Sequence, residues 1–143
     1  MTISLLTSAL SQLLLGALTD KVGSKKPIIA GLILGGLNYL GLIYFSGVLP
    51  LYILGAFQGL LYAAVDLSMM IYLMAIIPEG SSGKAMGAYG FSEDIGGMVA
   101  SPSLGIIYDR AGPPFAILSV SIVMFCGAGF SFFLPHDLKG KEN

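Results

Sequence analysis

Gly16-Ala17-Leu18-Thr19-Asp20-Lys21-Val22-Gly23-Ser24-Lys25-Lys26-Pro27 is a dense polar, basic interruption between two long apolar runs. Asp20 falls at the expected end of one helix, where its carboxylate can accept backbone or basic-side-chain hydrogen bonds. Gly23 permits a tight turn between antiparallel neighbours, and Pro27 is tolerated in the first turn of the next helix. If the flanking runs cross a bilayer, the three lysines anchor the loop at the cytoplasmic headgroups.

The composition says that they do cross. Of 143 residues, 55% are hydrophobic and 10% charged, against about 25% charged in soluble domains. So few charges cannot cover the surface of a soluble fold of this size, which makes lipid the expected solvent. The 20 glycines would weaken soluble helices, but in a membrane they allow close helix packing. A net charge of −1 with no basic face gives no support to a nucleic-acid partner. The single cysteine, Cys126, rules out an intrachain disulfide and a thiolate cluster, and it reads as a small hydrophobe in an apolar run.

About 20 apolar residues span the hydrocarbon core, and five segments qualify or nearly so: 3–19, 28–46, 51–77, 85–107 and 115–134. The loop before each of the last three carries proline and glycine: Gly47-Val48-Leu49-Pro50, Pro78-Glu79-Gly80-Ser81-Ser82-Gly83-Lys84 and Tyr108-Asp109-Arg110-Ala111-Gly112-Pro113-Pro114. A polar tail, 135–143, follows. The segments lack the sustained apolar-polar alternation of strands and have helical lengths. A soluble bundle would need a polar stripe along each helix, and most segments have none. The expected fold is an all-α polytopic membrane protein of about five transmembrane helices. The N-terminus has no basic stretch of the signal-peptide kind, and the first segment reads as a membrane helix.

Lys21, Lys25, Lys26, Lys84, Lys139 and Lys141 fall on one side of that layout and only Arg110 on the other. The positive-inside rule then puts the C-terminus in the cytoplasm and the N-terminus outside, in a multi-pass protein of the cell membrane.

The opening stretch resembles the signature loop of the major facilitator superfamily, G-x-L-a-D-r-x-G-r-k-k, at Gly16, Leu18, Asp20, Gly23, Lys25 and Lys26, with Ser24 where a basic residue is usual. A second run, Gly96-Gly97-Met98-Val99-Ala100-Ser101-Pro102-Ser103-Leu104-Gly105-Ile106-Ile107-Tyr108-Asp109-Arg110-Ala111-Gly112, is similar to the family's G-P-x-x-G-x-x-x-D-x-x-G pattern. The resemblance implies a secondary transporter whose twelve helices form two six-helix halves, with a small-molecule solute bound near the midplane and alternating access to each side. It implies that this chain is a partial bundle of the general-substrate-transporter kind, equivalent to helices 8–12 or 2–6. Gly55-Ala56-Phe57-Gln58-Gly59 keeps the Gln-Gly of an N-terminal-half R-x-x-Q-G motif but has Gly55 in place of its arginine, which favours helices 8–12. The partners implied are the lipid bilayer, the solute and the remaining half of the transporter.

Asp66, Glu93 and Asp94 are acids inside apolar segments. A charge near the bilayer centre costs about 2.5–3.5 kcal/mol or more, so such residues face a bundle interior or an aqueous cavity. At 1.5 Å per residue, Asp66 is about 16 Å and Glu93 about 12 Å from their helix ends, close to the midplane. No lysine, arginine or histidine lies within any segment, so hydrocarbon burial disfavours the acids' charged forms and makes them candidate carriers of H+. Hydrogen bonding to a neighbouring helix is the structural alternative. Glu93 and Asp94 point about 100° apart; Glu93 is preferred, with Tyr89 one turn before it and Gly97 one turn after. Gln58, Tyr62 and Asp66, at i, i+4 and i+8, stay within about 80° on one face, which reads as cavity lining or as interhelical bonding. Asn38 reads as structural. Gly97, Pro102 and Gly105 are packing or hinge candidates in the fourth segment.

Signals of catalysis are absent, so an enzyme is not expected. His136 has no ligand-spaced partner, which leaves no metal site, and no cofactor is implied. The loop at 80–84 lacks phosphate-loop spacing and a preceding strand. A second hypothesis is a truncated, non-transporting membrane protein that serves as a partner or regulatory subunit.

Overall fold

A computed structural model describes residues 24–45, 47–78 and 80–134, and all their regular structure is helical. Helix α1 spans Lys25–Tyr44, α2 Val48–Ile76, α3 Ser82–Ala111 and α4 Pro113–Ser131. These correspond to the second to fifth expected segments. The first segment, the signature-loop residues Gly16, Asp20 and Gly23, and the tail lie outside the described residues.

Helices α1, α2 and α4 are long and apolar enough to cross a membrane by length and composition. α3 has the length, 30 residues, or about 45 Å, but Glu93 and Asp94 interrupt its apolar run. It begins three residues before the expected 85 and ends four after 107, because backbone hydrogen bonding continues through polar residues at both ends. It stops where chemistry requires. Gly112 adopts φ 90° and ψ 172°, and the residue before a proline avoids the α region. Pro113 then opens α4 at a position whose N–H would have no helical partner in any case. One residue therefore reverses the chain.

Each helix runs antiparallel to those it packs against. α1 is central, with α2 along one side and α4 along the other, and α4 also packs against α3. The close approaches come from missing side chains. A Cβ on Gly31 would overlap Val65 of α2, and one on Gly36 would lie 3.0–3.2 Å from the Phe125 ring of α4. Ser121 of α4, 1% exposed, donates to the Gly36 carbonyl at 3.1 Å. Small residues at such crossings replace the hydrophobic driving force that lipid removes.

The described core is small: Ile28, Leu61, Ala63, Tyr72, Ala116 and Ala128 are its buried apolar residues. Large side chains such as Met98, Val123 and Phe130 are exposed instead, an arrangement suited to lipid. α3 buries no residue at all.

At one end of the bundle, Lys25 Nζ donates to the carbonyls of Phe132 (3.0 Å) and Leu134 (2.6 Å). The last carbonyls of a helix have no intrahelical donors, and a cation suits that negative pole. Lys26 and Lys84 also stand at this end, and Arg110 at the other.

Candidate functional site

α2 and α3 are joined near their middles by two hydrogen bonds of the same kind. Tyr62 Oη of α2 donates to Glu93 Oε1 of α3 at 3.1 Å. Tyr89 Oη of α3 donates to Asp66 Oδ1 of α2 at 3.3 Å. Each helix supplies a tyrosine and, four residues later, an acid; the antiparallel course of the two helices sets each tyrosine opposite the other helix's acid. Side chains four apart lie one above the other on a helix face, so one facing stretch of the two helices satisfies both pairs.

The quartet surrounds a pocket of about 280 Å³, completed by Val65 and Ser92. Asp66 is ten residues from the Ile76 end of α2, and Glu93 eleven from the Ser82 end of α3, or about 15 and 17 Å along their axes. Both acids thus lie at comparable depth, in the central part of helices longer than the roughly 30 Å hydrocarbon core. Asp66 is half-buried and Glu93 exposed. Each carboxylate accepts one phenol and keeps acceptor capacity for a proton or a donor group.

Of the expected site residues, Tyr62, Asp66 and Glu93 are brought together here. Asp94, the next residue round the helix, is exposed and outside the pocket. Gln58 turns to α1, where its Oε1 accepts from Asn38 Nδ2 at 2.8 Å. The same Nδ2 reaches the Leu54 carbonyl at 3.0 Å. Asn38 is 6% exposed, and its Oδ1 has no partner among the described residues. The face of α2 that carries Gln58, Tyr62 and Asp66 is therefore shared between two neighbouring helices.

Tyr89 and Ser92 join the site without having been site candidates. The signal for Tyr89 was present, since its spacing to Glu93 repeats that of Tyr62 to Asp66. Ser92 carried no such signal; its hydroxyl donates to the Tyr89 carbonyl at 2.7 Å.

Of the packing and hinge candidates, Gly97 and Gly105 have no described atom within 4 Å of where a Cβ would stand. Helix α3 continues through Pro102. Gly105 borders a second, mostly apolar hollow of about 310 Å³ beside Tyr39, Tyr108 and Ala116. Lys25 is engaged with the end of α4, and Lys26 is exposed at the start of α1. Among the described residues no group of three or more His, Cys, Asp or Glu could hold a metal ion.

Residues 1–143, the whole chain, match a family model described as Major Facilitator Superfamily. Comparison with curated proteins and comparison with solved structures each give no match.

Proposed function

The chain belongs to the major facilitator superfamily, whose members are membrane transporters and not enzymes, and on that premise we propose that the α2–α3 pocket lies on the path of the transported solute and couples its movement to H+. The observation that carries this reading is the reciprocal tyrosine–carboxylate quartet, set centrally between two long antiparallel helices. Ionisable groups at such depth mark substrate or proton pathways in membrane proteins. In this reading Asp66 and Glu93 carry the proton, and the phenols of Tyr62 and Tyr89 hold the carboxyls in place.

In this reading the chain is part of a larger alternating-access transporter, equivalent to helices 8–12, and the remaining half supplies the opposite wall of the site. The bare faces of α3, which buries no residue, are surfaces for that half to cover. The side of the bundle with Lys25, Lys26 and Lys84 is cytoplasmic, following the positive-inside rule, in a cell-membrane protein.

The test uses the full-length protein in proteoliposomes with an imposed pH gradient and a panel of labelled sugars, amino acids, organic acids and amines. Asp66→Asn is expected to abolish gradient-driven movement of whichever solute the parent carries. Undiminished transport by that variant removes Asp66 from the coupling path.

A further inference from the structure

With both carboxyls ionised, the described side chains facing the α2–α3 pocket have acceptors to spare and no donors left. The phenol hydrogens of Tyr62 and Tyr89 go to Glu93 and Asp66. The Ser92 hydroxyl hydrogen goes to the Tyr89 carbonyl, and Val65 offers none. Each ionised carboxylate has roughly four lone-pair sites, and one is used on each by a phenol. An anionic solute would meet only oxygen lone pairs and two like charges. A neutral solute could donate hydrogen bonds but would bring no charge to match the two carboxylates, of which Asp66 is half-buried.

The described lining of the pocket supplies no counter-charge, and a cationic occupant would bring one. The described basic residues, Lys25, Lys26, Lys84 and Arg110, all stand within three residues of a helix end, and none lines the pocket. The rings of Tyr62 and Tyr89, held by their hydroxyl bonds, complete the recognition chemistry, because an aromatic face attracts a cation within about 6 Å of its centre. At about 280 Å³, the pocket is just below the roughly 300–1,000 Å³ typical of small-molecule sites, which suits a small solute.

We propose that the solute is a small protonated organic amine. Its ammonium group donates to Asp66 and Glu93, and its carbon body lies against Tyr62, Tyr89 and Val65. This assignment rests on the transporter reading of the same pocket and names the class of solute it takes.

The probe is radiolabelled phenethylamine, cationic at neutral pH, added to the full-length protein purified in detergent. 2-Phenylethanol and phenylacetate match its carbon body in neutral and anionic form. Saturable phenethylamine binding is expected, displaced by the unlabelled amine and by neither analogue in large excess. Asp66→Asn and Glu93→Gln should each weaken binding about tenfold or more, the equivalent of 1.4 kcal/mol. Tyr62→Phe and Tyr89→Phe keep the rings but release the carboxylates from their phenols, and each should weaken binding by less than the acid substitutions do.

Absence of saturable phenethylamine binding to the parent protein overturns the assignment. So does displacement by 2-phenylethanol or phenylacetate that matches displacement by the amine. Neither result needs a variant that must fold. If amine binding fails while another solute still moves with the pH gradient, only the solute class falls. If the amine binds as expected and no solute moves, the transport reading falls and the amine site stands.

Discussion

Gly31 marks a close approach of α1 to α2, and its substitution tests that packing quantitatively. A Cβ there would overlap Cγ2 of Val65 and lie 3.5 Å from the Leu61 carbonyl oxygen and 3.8 Å from Val65 Cβ. Val65 cannot rotate away at low cost, since a β-branched side chain in a helix has one strongly preferred rotamer. Overpacking of this kind costs about 1–3 kcal/mol, while alanine gains about 0.5–1 kcal/mol over glycine within a helix. The clash wins, and Gly31→Ala should lower stability by roughly 1–2 kcal/mol. Val65→Ala removes the overlapping methyl and leaves its Cβ at the ordinary 3.8 Å contact. In that background only the backbone gain remains, so Gly31→Ala should become stabilising by about 0.5–1 kcal/mol. Thermal unfolding of the parent, both single variants and the double variant in detergent completes the cycle. The same loss from Gly31→Ala in both backgrounds refutes the assigned contact.

Asn38→Ala removes two interhelical hydrogen bonds, each worth about 0.6 kcal/mol on average in a membrane. It also removes an unpartnered buried oxygen, so thermal unfolding should report a loss of only about 1 kcal/mol or less. Lys25→Met keeps the aliphatic stem and loses the cap on α4. It should cost about 0.3–1 kcal/mol, and hydrogen exchange should accelerate at 129–134 but not along α2. Gly112→Ala puts a side chain on a backbone at φ 90° and ψ 172°, and the melting temperature should fall by the equivalent of about 1–3 kcal/mol.

The helices were legible because apolar runs are bounded by proline and glycine, as at Gly47-Val48-Leu49-Pro50 and Ala111-Gly112-Pro113-Pro114. Their ends were less so. α3 reaches Ala111 where apolarity suggested 107, because hydropathy reports solvent preference, whereas a helix stops where its backbone bonding stops. The site was legible in its chemistry more than in its pairing. Asp66 and Glu93 stood out as uncompensated acids, but which phenol serves which acid depends on the stagger of α2 against α3. Gln58 illustrates the same gap. An arc of about 80° placed it with Tyr62 and Asp66, yet α1 packs beside that arc and presents Asn38, a better-placed donor. Sequence spacing defines a face; only packing decides how neighbours divide it.

The bonds from Lys25 to Phe132 and Leu134 join residues 107 and 109 positions apart. They therefore set an order of assembly during synthesis. α1 and α2 are contiguous and can pair as soon as both have left the ribosome, but on the opposite flank of α1 Gly36 and Lys25 meet their described partners only once α4 is made. Nascent chains halted before Phe132 would lack the last partner of the first described helix. Such chains would expose a glycine-lined seam that quality-control proteases could read as unfinished.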